Sequence, residues 1–230
     1  MTSTALITGA SQGLGRALAA ALSERGWRLV VDGRDPDRLA AAVAALPHPE
    51  AVTAIPGDVA DPDHRAALAE AVGPALDLLV NNASDLGPSP LPALATYPLD
   101  ALRRVFETDV LAPVALVQAL LPPLRSARGT VVNVSSDAAV EAYPYWGGYG
   151  SAKAALDHVT AVLATEEPEL AVYAVDPGDM RTDMHQAAFP GEDISDRPLP
   201  DAVVPAFLHL LETRPASGRY RAAELLAVPA

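Results

Sequence analysis

Cysteine is absent from the 230 residues, so the chain forms no disulfide and offers no thiolate to a metal ion. Basic residues are scarce: 16 Lys and Arg stand against 29 Asp and Glu, and the formal net charge is −13. A surface of that charge repels nucleic acid and anionic lipid, and we expect neither as a partner. The 5 histidines show no spacing typical of metal ligands, so we expect no metal site.

Long apolar stretches are also missing. No run approaches the roughly 18 apolar residues that indicate a membrane-spanning helix. The N-terminus lacks a basic segment that leads into the apolar core of a signal peptide. We therefore expect a cytoplasmic protein that does not enter a membrane.

Short apolar runs alternate with helical patterns along the chain. Hydrophobic residues make up 50% of the sequence, which suits the core of one domain over residues 1–230. The candidate strands are Ala5–Thr8, Arg28–Asp32, Ala51–Ile55, Leu76–Asn81, Thr130–Val134, Ala171–Val175 and Arg219–Arg221. The candidate helices are Leu14–Glu24, Asp37–Leu46, Asp61–Val72, Leu99–Leu121, Gly150–Thr165 and Asp201–Glu212. This order predicts an α/β fold with a doubly wound parallel sheet of about seven strands and helices on both faces.

The first junction between a strand and a helix is rich in glycine. Residues 8–15 read T-G-A-S-Q-G-L-G and lie between an apolar run and an alanine-rich stretch with high helix propensity. Glycine permits a tight turn and a close approach of the backbone to a ligand, and a helix N-terminus attracts phosphate. A lone glycine triplet is often a simple turn, but this position in an alternating chain favours a nucleotide-binding loop.

Tyr149 precedes Lys153 by four residues, a spacing that places both side chains on one face of a helix. A neighbouring ammonium favours the phenolate and lowers the phenol pKa from about 10, so that the group can exchange protons near neutral pH. Ser136 follows the strand Thr130–Val134, at the edge where ligands bind in open α/β sheets. Each feature alone also fits an ordinary helix surface or a turn. Together with the glycine loop, they indicate a site that polarises a carbonyl and transfers a proton.

In order and spacing, these motifs resemble those of the short-chain dehydrogenase/reductase family. The shared features are T-G-x-x-x-G-x-G at 8–15, N-N-A at 81–83, Ser136, Y-x-x-x-K at 149–153 and P-G at 177–178. The resemblance covers nearly the whole chain and implies a Rossmann-type fold and hydride transfer between a nicotinamide cofactor and a carbonyl or secondary alcohol. It further implies that Tyr149 is the general acid/base, that Lys153 tunes it, and that Ser136 donates to the carbonyl oxygen.

The resemblance also implies a set of cofactor-binding residues spread over several strand ends. These are Thr8, Gly9, Ser11, Gly13, Leu14, Gly15, Arg34, Asp58, Val59, Asn81, Ala83, Tyr149, Lys153, Pro177, Gly178, Met180 and Thr182. In the family, the residue matched by Asp58 hydrogen-bonds the adenine amino group. Either Asp58 or Asp61 would also suit the cap of the following helix.

The end of the second strand bears on the choice between NADP and NAD. An acidic side chain there binds the adenosine ribose and selects NAD, whereas an arginine accommodates the 2′-phosphate of NADP. The usual acidic position falls on Gly33 and Arg34 follows it, so NADP(H) is favoured over NAD(H). Asp32 lies one residue earlier, and strand alternation directs it away from Gly33. The alternative reading of Arg34 is a solvent-facing loop charge.

Two positions depart from the family pattern. Ser84 stands where the N-N-A segment usually continues with glycine, and Asp109 stands where an asparagine usually completes a proton relay to the lysine through water. An ionised carboxylate accepts hydrogen bonds but donates none. Asp109 can still hold the relay water, and it is therefore a candidate catalytic residue beside Ser136, Tyr149 and Lys153.

Residues 179–200 form a long segment with three prolines, charged side chains, Met184 and Phe189. Its length and the resemblance favour a substrate lid over a solvated insertion. The resemblance also implies a small-molecule carbonyl or alcohol substrate and a homodimer or homotetramer built on the two long helices. Ser84 and Asp109 leave open a non-catalytic dinucleotide-binding or redox-sensing protein. An epimerase or dehydratase of the longer relatives is a further alternative, for which this chain is short.

Overall fold

The computed structural model describes residues 2–227 and contains a seven-stranded parallel sheet. The strands are β1 (Thr4–Ile7), β2 (Arg28–Gly33), β3 (Val52–Pro56), β4 (Leu78–Asn81), β5 (Thr130–Val134), β6 (Ala171–Asp176) and β7 (Gly218–Arg221). Their order across the sheet is β3-β2-β1-β4-β5-β6-β7, and each neighbouring pair is parallel. The order reverses between β1 and β4, and ligands bind outside the carboxyl ends of the strands at such a switch point.

The helices fill the crossovers between the strands. They are α1 (Gly13–Glu24), α2 (Pro36–Ala44), α3 (Pro62–Val72), α4 (Leu99–Phe106), α5 (Ala112–Ala127), α6 (Gly147–Glu166), α7 (Asp183–Ala188), α8 (Val204–Thr213) and α9 (Ala222–Leu226). Helices α2 and α3 each begin with proline after an aspartate, Asp35 or Asp61, whose carboxylate accepts backbone N–H bonds of the first turn. The predicted α/β architecture is thus confirmed, and all seven predicted strands are present with ends shifted by at most two residues.

Alternation along the buried strands divides the core between the two faces of the sheet. In β1, Ala5 and Ile7 belong to the hydrophobic cluster that includes α1 and α8, whereas Leu6 belongs to the cluster on the other face. The second cluster is formed with α3 and α5, which contribute Leu68 and Leu116. The sheet is therefore covered on both sides, and its carboxyl edge is left for the loops.

The predicted continuous helix Leu99–Leu121 is the main difference between expectation and structure. A π-helical turn, Glu107–Leu111, separates α4 from α5, and the helical stretch continues to Ala127. Pro113 explains the break, because it has no N–H for the carbonyl of Asp109, four residues earlier. A π-turn inside an α-helix is frequently found at a functional site.

This stretch, Leu99–Ala127, is long and apolar enough to cross a membrane by length and composition alone, although the sequence has no unbroken apolar run. Leu116, Leu120 and Leu124 on α5 are almost completely buried in the core beneath the sheet. The apolar composition is accounted for by this packing.

Candidate active site

The glycine loop between β1 and α1 is held in a conformation that larger residues would disturb. Gly9 has a φ of +67°, in the left-handed region that favours glycine. At Gly15, a Cβ would lie 2.5 Å from the carbonyl oxygen of Gly9 and 2.6 Å from Nδ2 of Asn82. Both positions therefore require glycine for the close packing of loop, helix and strand.

The side chain of Asp32 hydrogen-bonds the glycine loop and so connects that loop to β2. Its Oδ1 accepts a 2.6 Å hydrogen bond from the backbone N–H of Gly9, and its Oδ2 lies 3.1 Å from Nε2 of His64 on α3. Burial raises the pKa of the Asp32 carboxyl, while the bonds from His64 and Gly9 oppose that rise. The contact with the glycine loop could not be predicted from strand alternation, because the position of Asp32 also depends on α3 packing beside β2.

Asn82 and Thr8 make the second connection to the loop. Asn82 Nδ2 donates to the carbonyl oxygens of Thr8, at 2.8 Å, and Gly9, at 3.2 Å. Thr8 Oγ1 in turn accepts from the backbone N–H groups of Asn82 and Ala83, both at 3.0 Å. Asn82 was not among the predicted site residues, although the paired asparagines after β4 were a signal for it.

Asn81 points to the interior of the protein. Its Nδ2 donates to Oδ1 of Asn133 at 2.7 Å, and Asn133 Nδ2 donates to Oγ1 of Thr160 on α6 at 2.8 Å. The three buried side chains link β4, β5 and α6 below the predicted catalytic residues. The sequence predicted that Asn81 contacts the cofactor directly. In the structure its side chain instead bonds to Asn133 beneath the cleft.

A cleft of about 1290 Å³ runs along the carboxyl edge of the sheet. Most of the predicted cofactor and catalytic residues line it: Gly9, Ser11, Gly13, Leu14, Arg34, Asp58, Val59, Ala83, Ser136, Tyr149, Lys153, Pro177, Gly178, Met180 and Thr182. The remaining predicted residues lie behind the residues that line the cleft and support them: Thr8, Gly15, Asn81 and Asp109. Lining residues that sequence analysis missed include Arg16, Asp32, Arg38, Asn82 and Thr108.

The end of β2 opens onto the adenosine side of this cleft. At Gly33 a Cβ would lie 3.0 Å from both Cβ and Oγ of Ser11, so the glycine loop occupies the place of a larger side chain. Arg34 is exposed at the cleft, and Arg16 and Arg38 line it nearby. The overall charge of the chain is strongly negative, but these three guanidinium groups line the same cleft, where Arg38 is paired with Asp183 at 3.3 Å.

The sequence left open whether Asp58 or Asp61 caps the helix α3, and the structure distinguishes the two residues. Asp61 is the N-cap of α3 and accepts from the N–H of Asp63 at 2.9 Å. Asp58 accepts from the N–H of Ala60 at 2.9 Å and lines the cleft beside the buried Val59. The helix cap is therefore Asp61, and Asp58 remains at the cleft.

Tyr149 and Lys153 lie side by side on α6, as their spacing predicts. The ammonium of Lys153 is 5.4 Å from the centroid of the Tyr149 ring and donates a 3.0 Å hydrogen bond to the carbonyl oxygen of Val134. Ser136 follows β5 at the same edge, and its Oγ donates to Oδ1 of Asp137 at 3.0 Å. The fold thus brings the predicted serine, tyrosine and lysine to one wall of the cleft.

The sequence predicted that Lys153 lowers the phenol pKa of Tyr149, but in the structure that pKa is raised, because the phenol is buried. Burial raises the phenol pKa above its ordinary value, and the nearby Asp109 carboxylate raises it further. The hydroxyls of Ser136 and Ser84 oppose this rise, because they hydrogen-bond the phenolate form. The protonated phenol is therefore the favoured form of Tyr149, and the raised pKa also makes that phenol a weaker acid.

Asp109 is 1% exposed on the π-turn and faces Lys153. Its Oδ2 lies 3.9 Å from the lysine Nζ and accepts a 3.0 Å hydrogen bond from Ser84 Oγ, while its Oδ1 accepts from the N–H of Asp85 at 2.7 Å. Burial raises the pKa of Asp109 to about 6, although Lys153 and the two hydrogen bonds oppose the rise. The predicted member of the relay is therefore adjacent to Lys153, and it is a carboxyl group that titrates near neutral pH.

The segment after β6 closes the far side of the cleft. Gly178 donates its N–H to Asp176 at 2.9 Å, and Thr182 caps α7 by accepting from the N–H of His185 at 3.1 Å. The γ-methyl of Thr182 lies 3.6 Å from the place where a Cβ of Gly13 would be. The predicted loop 179–200 therefore contains a short helix and approaches the glycine loop across the cleft.

Within residues 2–227, no group of three or more His, Asp or Glu side chains is arranged to hold a metal ion. The residues at and behind the cleft instead fit a dinucleotide: Gly15, where a Cβ would collide with the loop, a helix that starts at Gly13, and arginines that line the cleft.

Comparison with known proteins agrees with this geometry. A family model described as short chain dehydrogenase matches residues 3–193. Serine 3-dehydrogenase of Agrobacterium fabrum is 35% identical over 192 residues, covering 80% of this chain and 74% of the relative. A provisionally named short chain dehydrogenase of Shigella flexneri 2a, solved with NADP, superposes with a TM-score of 0.89 at 28% identity, over 96% of this chain and 97% of the other. An alcohol dehydrogenase of Thermococcus sibiricus, solved with 5-hydroxy-NADP, superposes at 0.84 and 26% identity, over 96% of each chain.

The fold, the glycine loop and the Ser/Tyr/Lys wall define a Rossmann-type oxidoreductase. This chain belongs to the short-chain dehydrogenase/reductase family and is an NAD(P)-dependent enzyme of that family.

Proposed function

We propose that this enzyme uses NADPH to reduce the carbonyl group of a small-molecule substrate. The observation that carries the proposal is that Ser136, Tyr149 and Lys153 share one cleft with the glycine loop. The raised pKa of Tyr149 favours the protonated phenol, which is the form needed for reduction. The same residues support oxidation of the corresponding alcohol when the proton and hydride move in reverse.

The protein groups act on the substrate oxygen. The nicotinamide cofactor supplies the hydride when it is bound. Tyr149 donates its phenolic proton to the oxygen, and Ser136 donates a hydrogen bond as negative charge develops there. Lys153, whose ammonium is held by the carbonyl of Val134, stabilises the phenolate that remains.

The choice of NADPH rests on the end of β2. Arg34 is exposed at the cleft, and a guanidinium is suited to paired hydrogen bonds with phosphate. Asp32, the nearest acidic side chain on the strand, is 1% exposed and already bound to Gly9 and His64. Ser11 occupies the space beside Gly33 where the ribose-binding acid of an NAD enzyme would project. The NADP-type ligands of two similar structures agree with this choice.

The substrate end of the cleft is largely apolar and aromatic. Trp146 packs edge-on against Tyr149 with ring centroids 5.8 Å apart, and Phe189 lies 6.0 Å from Trp146. Leu86 and Met184 complete this wall. We infer that the substrate carries an apolar or aromatic group beside its carbonyl, and that residues 179–200 act as the lid over it.

We further propose one domain over residues 1–230, a cytoplasmic location and a homo-oligomer. Exposed apolar side chains on the long helices, Leu99, Leu111 and Val162, support the last of these. Sedimentation velocity of the purified chain measures the oligomeric state directly, and a monomer at all concentrations would contradict it.

Fluorescence titration with NADPH and with NADH, followed by a carbonyl panel at fixed NADPH, tests the function. We expect tighter binding of NADPH and turnover of at least one carbonyl compound. Tyr149→Phe should reduce turnover by roughly 10²-fold or more and leave NADPH affinity similar, because it removes the proton donor and little else. Binding without turnover across the panel would favour the non-catalytic alternative, and a product of unchanged oxidation state would favour an epimerase or dehydratase.

A further inference from the structure

The two departures from the family pattern, Ser84 and Asp109, are bonded to each other. Ser84 follows β4 and Asp109 lies on the π-turn, yet Ser84 Oγ donates to Asp109 Oδ2 at 3.0 Å. The N–H of Asp85 fixes the other carboxyl oxygen at 2.7 Å. The carboxyl group is therefore held in one orientation, with Oδ2 shared between the serine hydroxyl and the ammonium of Lys153, 3.9 Å away.

Ser84 also faces the catalytic tyrosine. It lines the cleft together with Tyr149, and its hydroxyl is one of the two that lower the phenol pKa by hydrogen bonding. Asp109 is near enough for its charge to act on the same phenol. The serine hydroxyl thus lines the cleft with the phenol of Tyr149 and is bonded to the carboxyl of Asp109.

We propose that Asp109 stores the proton that Tyr149 delivers, and that the Ser84 hydroxyl carries it between them. This inference rests on the proposed function. It assigns to two side chains of this protein the reprotonation of the tyrosine, in place of a route through water and asparagine.

In the direction of reduction, a bound nicotinamide cofactor would supply the hydride of the new C–H bond and would itself be oxidised. The phenolic O–H bond of Tyr149 breaks as its proton moves to the substrate oxygen. The Ser84 proton then moves to the phenolate, and the proton on Asp109 moves to the Ser84 oxygen. The carboxylate left behind lies beside the Lys153 ammonium and regains a proton from solvent before the next cycle.

The buried carboxyl has a proton affinity suited to this role. Its pKa of about 6 leaves both the acid and the carboxylate accessible near neutral pH. The titratable groups around it are Lys153 on α6, Asp85 after β4, Tyr149 and Tyr97. Burial raises the pKa of Tyr97, Asp85 and Asp109 raise it further, and Arg104 opposes the rise. Reduction needs the protonated carboxyl, so its rate should fall as the pH rises through about 6, whereas the rate of alcohol oxidation should rise over the same range.

Asp109→Asn, Ser84→Ala and Ser84→Thr test the route in the full-length enzyme. Asp109→Asn should abolish the inflection near pH 6 in both directions, since an amide does not titrate. Ser84→Ala should lower turnover by roughly 10²-fold with KM for the carbonyl little changed, and Ser84→Thr should restore most of the rate because it retains the hydroxyl. Asp100→Asn, which removes the same charge from an exposed position on α4, is the matched control and should keep the inflection.

Infrared titration provides a readout that does not need turnover. A carboxyl band that titrates near pH 6 in the wild type, is absent in Asp109→Asn and is shifted in Ser84→Ala would support the relay. The relay is overturned if Asp109→Asn keeps the wild-type pH profile, if Ser84→Ala turns over like the wild type, or if the carboxyl stays ionised throughout the acidic range. Absence of turnover in the wild type would contradict the proposed function, and the infrared result would still decide the state of Asp109.

Discussion

Arg219 on β7 donates a 2.9 Å hydrogen bond from its guanidinium to the backbone carbonyl oxygen of Ser136. The same guanidinium lies 2.9 Å from Asp157, one helical turn after Lys153, and 3.4 Å from Asp176 at the end of β6. One side chain therefore connects Ser136, the proposed hydrogen-bond donor to the substrate, to the helix that carries Tyr149 and Lys153. Sequence analysis did not single out Arg219, because its three partners become neighbours only through the order of the strands.

Loss of the Arg219 side chain should misplace Ser136 and destabilise the fold. Arg219→Ala leaves two largely buried carboxylates without their main partner, which should cost on the order of 2 kcal/mol in the free energy of unfolding. We expect kcat to fall with little change in NADPH affinity, and Arg219→Lys to recover part of both losses. Denaturant unfolding and steady-state kinetics measure the two effects. Arg221→Ala, on the same strand but more exposed and 3.8 Å from Asp176, is the control; equal effects of both variants would refute the positioning role.

A methyl group at Gly15 should prevent cofactor binding. The added Cβ would meet the carbonyl oxygen of Gly9 at 2.5 Å, so the loop must move away from the position that receives a pyrophosphate. We expect Gly15→Ala to abolish detectable NADPH binding in a fluorescence titration while circular dichroism still shows a folded protein. Gly218→Ala, where a Cβ would meet open space, should bind NADPH like the wild type. Unchanged affinity in Gly15→Ala would mean that the dinucleotide does not bind along this loop.

Arg34 should discriminate between the two nicotinamide cofactors. Removing its guanidinium removes charge-assisted hydrogen bonds to a 2′-phosphate, and Arg34→Ala should weaken NADPH binding about tenfold or more. NADH affinity should change little, because NADH has no phosphate at that position. Calorimetric titration of both cofactors against the wild type, Arg34→Ala and the exposed control Arg25→Ala checks this. A parallel loss for NADH would show that Arg34 contacts another part of the cofactor.

The buried Asp109 should make stability depend on pH. Its pKa is about 6 in the folded protein against an ordinary value of 3.8, so the native state binds more protons than the unfolded state between those values. The stability that this group contributes is therefore lost as the pH rises from 3.8 to about 6, by about 3 kcal/mol. Asp109→Asn removes the titration, so its thermal midpoint relative to the wild type should rise from about pH 4 to pH 7. Calorimetric scans across that range measure the difference; a constant difference would contradict the raised pKa.

Much of the fold could be predicted because its signals are local. Apolar runs such as Thr130–Val134 are bounded by turn residues, and the aspartate–proline pairs before α2 and α3 mark helix starts. The helix Leu99–Leu121 was predicted without interruption, since a π-turn depends on how Pro113 and Asp109 share the backbone hydrogen bonds of a long buried helix. This hydrogen-bond pattern depends on how the helix packs, and the hydrophobic periodicity of the sequence does not reveal it.

In the candidate site, too, the local features could be predicted from the sequence and the long-range contacts could not. Tyr149 and Lys153 are related by the geometry of one helix, and the glycine loop by one turn, so residue types and spacing were sufficient. The supporting contacts were not predictable. Asn81 bonds to Asn133, which in turn bonds to Thr160. Asn82, whose role was not predicted, donates to the carbonyl of Thr8 in the glycine loop. Neighbouring asparagines on a strand end point to opposite sides, and only the packed sheet shows which side is the cleft.

The amino-acid sequence by itself determined the parallel α/β architecture, the glycine loop and the serine, tyrosine and lysine of the active-site wall, because hydrophobic periodicity, glycine and short spacings act over a few residues. The tertiary structure alone decided that Asp32 holds the N–H of Gly9, that Ser84 bonds to Asp109 and that Arg219 reaches Ser136. These pairs are 23, 25 and 83 residues apart. Their contacts arise from the order of strands in the sheet and from the π-turn, which bring distant segments to one edge.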